Sequence, residues 1–379
     1  MRILVLGAGL VGGPIAADLA ADPNFSLTVA DIDPVALERL SDKHKVATLR
    51  VDLSDQKMVK KLAAGYGLIV SAVPGFLGHQ TLKAVLEAGT NIVDITFAPE
   101  DFQVFDTLAK EKNVTAICDM GVAPGMSNLL TAHCVNLLDK AKDVKIYVGG
   151  LPRERQWPYE YKAVFSPIDV IEEYTRPARF RVNGNEVVMP ALTDVELMDI
   201  DGFGQVESFN SDGLRSLLTS LSVPNMIEKT LRYPGHVAKM LMLRETGFFR
   251  TDTVIVDGRP VRPIDVTAKL LFPMIKLGEG EEDITVMLIQ VEGTKSGHKV
   301  RLTYSLIDSY DQVTRVHSMA RTTGYAASMA VRLLARGLFV KPGINPPENL
   351  DSDGMCLPFM LNGLKDRGVI YNFKEEEID

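Results

Sequence analysis

The first 120 residues alternate between strand-prone and helix-prone segments, and few architectures accept that alternation. Arg2–Leu6 is a short apolar run, a glycine-rich turn follows, and Ile15, Ala16, Leu19 and Ala20 then recur at helical spacing. Further strands are expected at Leu27–Ala30, Ala47–Val51, Leu68–Val73, Asn91–Ile95 and Val114–Cys118. Between them fall helices opened by Asp33-Pro34, with Asp33 as N-cap and Pro34 in the first turn, and helices over Asp55–Ala64, Gln80–Ala88 and Pro99–Lys112. Strands joined through helices pair in parallel with right-handed crossovers, so this part is expected to be an α/β Rossmann fold, a doubly wound parallel sheet.

Within that frame Gly7-Ala8-Gly9-Leu10-Val11-Gly12 fits G-x-G-x-x-G, directly after a strand and at the start of a helix. Gly7 suits the tight turn, Gly9 the approach of backbone N–H groups to a pyrophosphate, and Gly12 close helix–strand packing. Leu10 and Val11 complete the loop, and the helix N-terminus behind it supplies partial positive charge to phosphates. Asp31 follows Gly7 by 24 positions and ends the second strand. A carboxylate there accepts from ribose hydroxyls and repels a 2′-phosphate, and Asp31-Ile32-Asp33-Pro34 carries no basic residue, so the expected cofactor is NAD. Asp52, at the end of the third strand, is either an adenine contact or a turn residue. Ala72, Val73 and Pro74 follow the fourth strand, where the crevice of such a sheet should receive the nicotinamide ribose.

The middle of the chain reads differently. Asn183-Gly184 between Arg179–Val182 and Glu186–Met189 signals a hairpin, and Asp283–Val291 with Lys299–Ile307 forms a second antiparallel pair. Val144–Val148 is expected to be a strand leading to Gly149-Gly150, Ile264–Ile275 a helix, and Thr322–Leu338 a long apolar helix. A second, α+β domain with a largely antiparallel sheet is therefore expected, with the stretch around Pro342–Pro347 a surface strap and Glu375–Glu377 a frayed end.

The net charge of −8 disfavours nucleic acid and anionic membranes as partners. Cys118, Cys134 and Cys356 show no C-x-x-C spacing, and neither a leader-like segment nor a long apolar span is evident, so a cytoplasmic protein is expected. His44, His79, His133, His298 and His317 are scattered and suggest no metal site.

Several blocks carry a resemblance. Gly7–Gly12 with Asp119–Asn128 and Tyr147-Val148-Gly149-Gly150-Leu151-Pro152 resembles the saccharopine dehydrogenase-like superfamily. Glu172–Ala178, Ser211–Ser216 and Thr230–His236 resemble its lysine 6-dehydrogenase (L-lysine ε-dehydrogenase) branch. The resemblance implies NAD-dependent oxidative deamination of the lysine ε-amine, with the 6-semialdehyde cyclising to a piperideine carboxylate. It also implies a discontinuous first domain, residues 1–121 and 320–379, and a second domain, residues 122–319, that binds the amino-acid substrate and mediates a homodimer. The alternatives are an imine reductase of the saccharopine or carboxynorspermidine type, and a regulator that binds NAD without turnover.

The chemistry sets its own demands. Hydride leaves a carbon bearing nitrogen only after the ammonium has lost a proton, which asks for a base or a desolvated site. Asp119, at the end of the sixth strand, either holds the amine and relays its proton or shapes the loop; Asp94 is the weaker candidate. A substrate carboxylate asks for a guanidinium, and Arg232 is the choice, against a structural ion pair. His236, fixed by Pro234-Gly235, is an acid–base group, a substrate partner or a turn residue. Tyr161 and Phe165 either wall the pocket or pack the core, and Ser211-Asp212-Gly213 is as compatible with helix capping as with substrate.

Overall fold

Four of the five residues in Arg2–Leu6 (β1) are buried, because a strand with parallel neighbours on both sides and helices on both faces is apolar throughout. The computed structural model describes residues 1–165, 167–352 and 354–379. From β1 the chain runs through α1 (Gly12–Ala20), β2 (Ser26–Asp31), α2 (Pro34–Lys43), β3 (Ala47–Arg50), α3 (Gln56–Ala63) and β4 (Leu68–Ser71). It continues through α4 (Gly75–Ala88), β5 (Asn91–Asp94), α5 (Asp106–Glu111), β6 (Thr115–Ile117) and α6 (Met126–Asn136). Asp33 caps α2, its Oδ1 accepting from Val35 N at 2.9 Å, as its position before Pro34 leads one to expect.

The middle of the chain supplies β7 (Lys140–Pro152), α7 (Pro167–Thr175), β8 (Ala178–Val182), β9 (Asn185–Met189), β10 (Glu196–Ile200) and β11 (Gly204–Asn210). After α8 (Leu217–Ser220) come β12 (Asn225–Arg232), α9 (His236–Thr246), β13 (Val254–Val256), β14 (Arg259–Val261), α10 (Pro263–Ile275), β15 (Asp283–Lys295) and β16 (His298–Ser309). The last elements are α11 (Ser318–Ala335), β17 (Gly343–Asn345), α12 (Cys356–Asp366) and β18 (Asn372–Glu377).

Among the described residues the first sheet has the order β17-β6-β5-β4-β1-β2-β3, with every pair parallel. The order reverses between β1 and β4, which opens a crevice at the carboxyl ends of those strands. The second sheet follows β10-β11-β12-β7-β15-β16-β18, with β8 attached to β12 and β9 to β8, and only β12–β7 is parallel among the paired strands. The expected architecture, a Rossmann sheet plus an α+β domain with a largely antiparallel sheet, is the one observed.

Two compact units result: Met1–His133 with Ala320–Val369, and Cys134–Met319 with Ile370–Asp379. The return to the first unit at residue 320 is as expected, whereas the first boundary and the C-terminal end are not. Most of α6 belongs to the first unit, and the final strand belongs to the second, so the division does not fall at residue 122 or run to 379. Glu375–Glu377 is not frayed: β18 pairs with β16, and Lys295–Glu375 and Arg301–Glu376 ion pairs cross the edge. The Pro/Gly-rich strap contains a buried strand, β17, because β6 offers it a free edge. Gly149-Gly150 does not end β7. A Cβ at Gly149 would lie 2.5 Å from the Leu231 carbonyl, and one at Gly150 2.1 Å from Met319 Sδ, so the glycines serve close packing within a continuing strand. The helix expected over 99–112 is a 3-10 turn at Phe102–Phe105 followed by α5, and α4 starts five residues earlier than Gln80, at Gly75.

The long helix α11 packs on α1, where a Cβ at Gly324 would lie 3.0 Å from Ile15 Cγ1. Asp18 of α1 there accepts from Ser328 at 2.5 Å, Arg332 at 2.6 Å and Arg367 at 2.6 Å. No helix among the described residues is long and apolar enough to cross a membrane.

Candidate active site

In the first unit, the turn from β1 to α1 is built of backbone packed on backbone. A Cβ on Gly7, whose φ is +106°, would lie 2.5 Å from the Ala72 carbonyl, and one on Gly12 would lie 2.2 Å from the Gly7 carbonyl. A Cβ on Gly9 would meet nothing within 4 Å. The loop is thus closed on the protein side and open at the one glycine where a phosphate has to approach, which fits a bound dinucleotide. Leu10 and Val11 lie half-buried on this turn, with Val11 the residue that opens α1.

Asp31 is tied to the same loop. Its Oδ2 accepts from Ala8 N at 2.6 Å and its Oδ1 from Asp33 N at 2.9 Å, which fixes the carboxylate beside the glycines at the end of β2. Arg50 stands opposite Asp31 in the β2–β3 register and donates from Nε to the Ile32 carbonyl at 3.4 Å. A basic residue is therefore present beside Asp31, although none occurs in the Asp31–Pro34 segment. Asp52 is exposed, and its Oδ1 accepts from Ser54 N at 2.9 Å and Ser54 Oγ at 2.7 Å. The Ser54 bonds hold its carboxyl below the usual range, so the turn role is the one its geometry explains. Ala72, Val73 and Pro74 border the reversal point: Ala72 N donates to the Leu6 carbonyl at 2.8 Å, and Pro74 caps α4.

Next along the same edge are three strand ends bearing polar groups. Ser71 ends β4, and Asp94, its register neighbour, ends β5; both are wholly buried. Asp94 Oδ1 accepts from Thr96 N at 2.9 Å and Thr96 Oγ1 at 2.6 Å, whereas neither Asp94 Oδ2 nor Ser71 Oγ completes a hydrogen bond. Burial pushes the Asp94 carboxyl up to about 7; Thr96 and Ser71 oppose the rise and Asp119 adds to it. Asp119 is buried with φ of +57°, just past β6, and the following residue, Met120, donates its N–H to the Asp94 carbonyl at 2.9 Å. The loop beyond it closes on glycine: a Cβ on Gly125 would lie 2.0 Å from the Gly121 carbonyl. Asp94, the weaker candidate by sequence, is thus enclosed at the end of β5 between the polar end of β4 and the β6 side.

In the second unit, Arg232 ends β12 and is buried, with its guanidinium carbon 4.0 Å above the Tyr161 ring. Nη2 donates to Glu173 at 2.5 Å and Nη1 to the Leu231 carbonyl at 2.8 Å. The ion-pair alternative for Arg232 is therefore realised, and the fork expected to hold a substrate carboxylate already has a carboxylate on one arm. Burial pushes Glu173 up, with Arg232 pulling the other way.

His236 opens α9. Its Nδ1 lies 2.8 Å from the Tyr159 carbonyl and its Nε2 2.9 Å from the Tyr174 hydroxyl. A carbonyl only accepts, so Nδ1 carries the proton and Nε2 accepts from the tyrosine. Burial, with the Arg232 charge, lowers the imidazole to about 3, so it is neutral throughout the physiological range. With both ring nitrogens bonded to protein groups, the turn-residue alternative is the one this geometry explains. Glu207 of β11 satisfies the helix start, accepting from Gly235 N at 2.9 Å and Val237 N at 2.6 Å. Tyr161 belongs to the apolar cluster around Val170, Tyr174 and Val237, with Phe165 packed at its margin.

Ser211-Asp212-Gly213 is not a helix cap. Ser211 Oγ donates to Glu228 Oε2 at 2.8 Å, Gly213 N donates to the same oxygen at 3.1 Å, and Asp212 pairs with Arg179 through two bonds of 2.9 and 3.0 Å. Tyr233 lines an open groove of about 500 Å³ with Arg153, Arg155 and Phe203, a groove that Arg232 and His236 do not line. No group of three His, Cys, Asp or Glu residues among those described is arranged to hold a metal ion.

The partners that sequence reading missed, Glu173, Glu207, Thr96 and Arg50, comprise three that approach from other elements and one, Thr96, that lies two residues beyond Asp94. Only Thr96 carried a local signal, the Asp-x-Thr spacing of a turn.

The family model for the Saccharopine dehydrogenase C-terminal domain matches residues 121–369, and that for the Saccharopine dehydrogenase NADP binding domain matches residues 3–117. The chain belongs to the saccharopine dehydrogenase family. Among relatives of this saccharopine dehydrogenase-family chain, mitochondrial alpha-aminoadipic semialdehyde synthase of Rattus norvegicus is 22% identical over 447 residues, covering 98% of this chain and 47% of the relative. Saccharopine dehydrogenase [NADP(+), L-glutamate-forming] of Saccharomyces cerevisiae is 20% identical over 272 residues, covering 69% of this chain and 61% of the relative. The family member thus spans about half the length of the semialdehyde synthase it matches. Its fold is that of apo saccharopine dehydrogenase (L-Glu forming) from Saccharomyces cerevisiae, with a TM-score of 0.81, 18% identity and full coverage of both chains.

Proposed function

We propose that this chain is a pyridine-nucleotide oxidoreductase that oxidises the carbon bearing the ε-amine of L-lysine, using NAD. The observation that carries the reading is the meeting, along one edge of the parallel sheet, of an open glycine cradle beside Asp31 with the strand-end carboxyl groups of Asp94 and Asp119. Gly7, Gly9 and Gly12, with the N-terminus of α1, would hold the pyrophosphate, and Asp31 the adenosine ribose. When bound, the nicotinamide supplies a hydride acceptor. The chain's own part is to hold the ammonium and take its proton: an N–H bond breaks and an O–H bond forms on a carboxylate. Only then can the nitrogen lone pair assist loss of hydride from the adjacent carbon. Water adds to the resulting imine, and release of ammonia leaves the aldehyde.

Asp31 supports NAD, because its charge opposes a 2′-phosphate. The names of the relatives support a second reading, oxidation of saccharopine or reduction of the corresponding imine with NADP, and Arg50 is the guanidinium that would face such a phosphate. Incubating the protein with L-lysine and NAD and following NADH absorbance tests the first reading. Absence of turnover with lysine, together with turnover of saccharopine, would replace it with the second. Asp31→Ala should weaken NAD and narrow its preference over NADP; a preference for NADP in the unaltered protein would overturn the role of Asp31.

A further inference from the structure

We propose that Asp94 and Asp119 act as a carboxyl pair in which Asp119 meets the substrate ammonium and Asp94, behind it, keeps the proton that the amine gives up. The inference rests on the amine-oxidising reading and extends it to a residue that touches no substrate. Asp94 is wholly buried at the carboxyl end of β5; the Met120 N–H, bonded to its carbonyl at 2.9 Å, ties the residue after Asp119 to the same strand end, and the Asp119 charge acts on the Asp94 carboxyl. Oδ1 is locked by two bonds from Thr96, so the orientation of the carboxyl is fixed. Oδ2 is the oxygen that Thr96 leaves unbonded, with the Ser71 hydroxyl the other polar group acting on the carboxyl, and it is the place where a proton can sit. The packing around the pair is tight: a Cβ on Gly78 of α4 would lie 2.2 Å from Thr96 Oγ1, so the turn bearing Asp94 cannot swing toward that helix.

The surroundings explain why the proton stays. From β4 the neighbour is the Ser71 hydroxyl, from α4 it is Gly78, and the charged group acting on Asp94 is Asp119 on the β6 side. No cation acts on the Asp94 carboxyl strongly enough to offset its burial, which holds it near 7. Below that range Asp94 is already protonated and cannot accept; above it, Asp94 has room for one proton. The proton leaves the ammonium nitrogen for Asp119 and comes to rest on Asp94 Oδ2, and no electron or co-reactant is needed to balance the step.

Two measurements test this. In the first, kcat/KM for lysine is followed against pH in the wild type, Asp94→Asn and Ser71→Ala. The wild type should lose activity as pH falls through about 7. Asp94→Asn should reduce kcat at least about tenfold and move that limb more than about one pH unit toward acid, with KM changed less. Ser71→Ala, which removes a hydroxyl that favours ionisation, should move the limb toward alkali. An Asp94→Asn enzyme with kcat within about twofold of wild type and an unmoved limb overturns the proposal. In the second, infrared titration of the whole protein should show a carboxyl that gains its proton near 7 and is missing from Asp94→Asn. Its absence from the wild type overturns the proposal whatever the enzyme turns over. If no amine is oxidised while that carboxyl is present, the functional reading fails and Asp94 remains a buried proton site without a substrate.

Discussion

Replacing Glu228 by Gln should make the second unit more stable, and increasingly so as pH rises. Glu228 is buried, and its Oε2 accepts from Ser211 Oγ and Gly213 N. Burial, assisted by the charges of Glu173 and Asp212, pushes its carboxyl up to about 8 from an ordinary 4.5, against the pull of the Ser211 and Gly213 bonds. A carboxyl whose pKa is raised on folding contributes its stability fully below the unfolded value and loses it as pH climbs through the folded one. At about 1.4 kcal/mol per pH unit, the loss between 4.5 and 8 amounts to about 5 kcal/mol, of which about 3 is already lost at pH 7. The amide of Glu228→Gln keeps an acceptor for Ser211 and Gly213 and never ionises. Its stability relative to wild type should therefore rise by about 1.4 kcal/mol per unit across that window and level off above pH 8. Urea denaturation from pH 5 to 9, analysed as two transitions where the units melt separately, gives the difference directly. A constant offset of the amide moves the whole line and leaves its slope alone. A difference that does not change with pH would show that Glu228 is ionised in the fold, and the argument from burial would be wrong.

Other substitutions separate architecture from binding. Gly9→Ala places its methyl in open space, so the melting temperature should change little while NAD affinity falls by about 1–2 kcal/mol, measured by calorimetric titration. Gly12→Ala drives a methyl into the Gly7 carbonyl and should lower both, by about 1–3 kcal/mol in stability; equal effects at the two glycines would contradict the cradle. Arg332→Met removes one of two guanidinium groups from Asp18 in a largely buried pair, and should cost the first unit about 3 kcal/mol in denaturant unfolding.

The Rossmann half was legible because its signals are local. Gly7, Gly9, Gly12 and Asp31 fall within one βαβ unit, and Asp33-Pro34 marks a helix start within two residues. What escaped depends on partners far along the chain. β17 is three residues flanked by prolines, and it becomes a strand only because β6 offers an unpaired edge 228 residues away, where Gly343 faces Thr115. Arg232 reads equally well as an anion site or an ion pair until Glu173, 59 residues earlier, closes on it. Histidine beside a Pro-Gly turn suggests proton transfer, but Tyr159 and Tyr174 take both nitrogens. Asp94 is a further case: a strand-end acid looks like any other in sequence, and only the neighbouring strands show that it is wholly enclosed with its carboxyl pushed up to about 7.

The pairing of β18 with β16 carries a consequence for how the polypeptide is made. Because Ile370–Asp379 completes the sheet begun at β7, while Ala320–Val369 completes the one begun at β1, neither unit is a contiguous stretch of chain. A ribosome that has made residue 319 has finished neither sheet, and β16 waits with a bare edge until the following segment has emerged and found its place. Vectorial folding, one unit after the other, is closed to this topology. The exposed edge of β16 in the nascent chain is the point at which a holding chaperone would act, and truncation after Val369 would leave that edge permanently open to another strand.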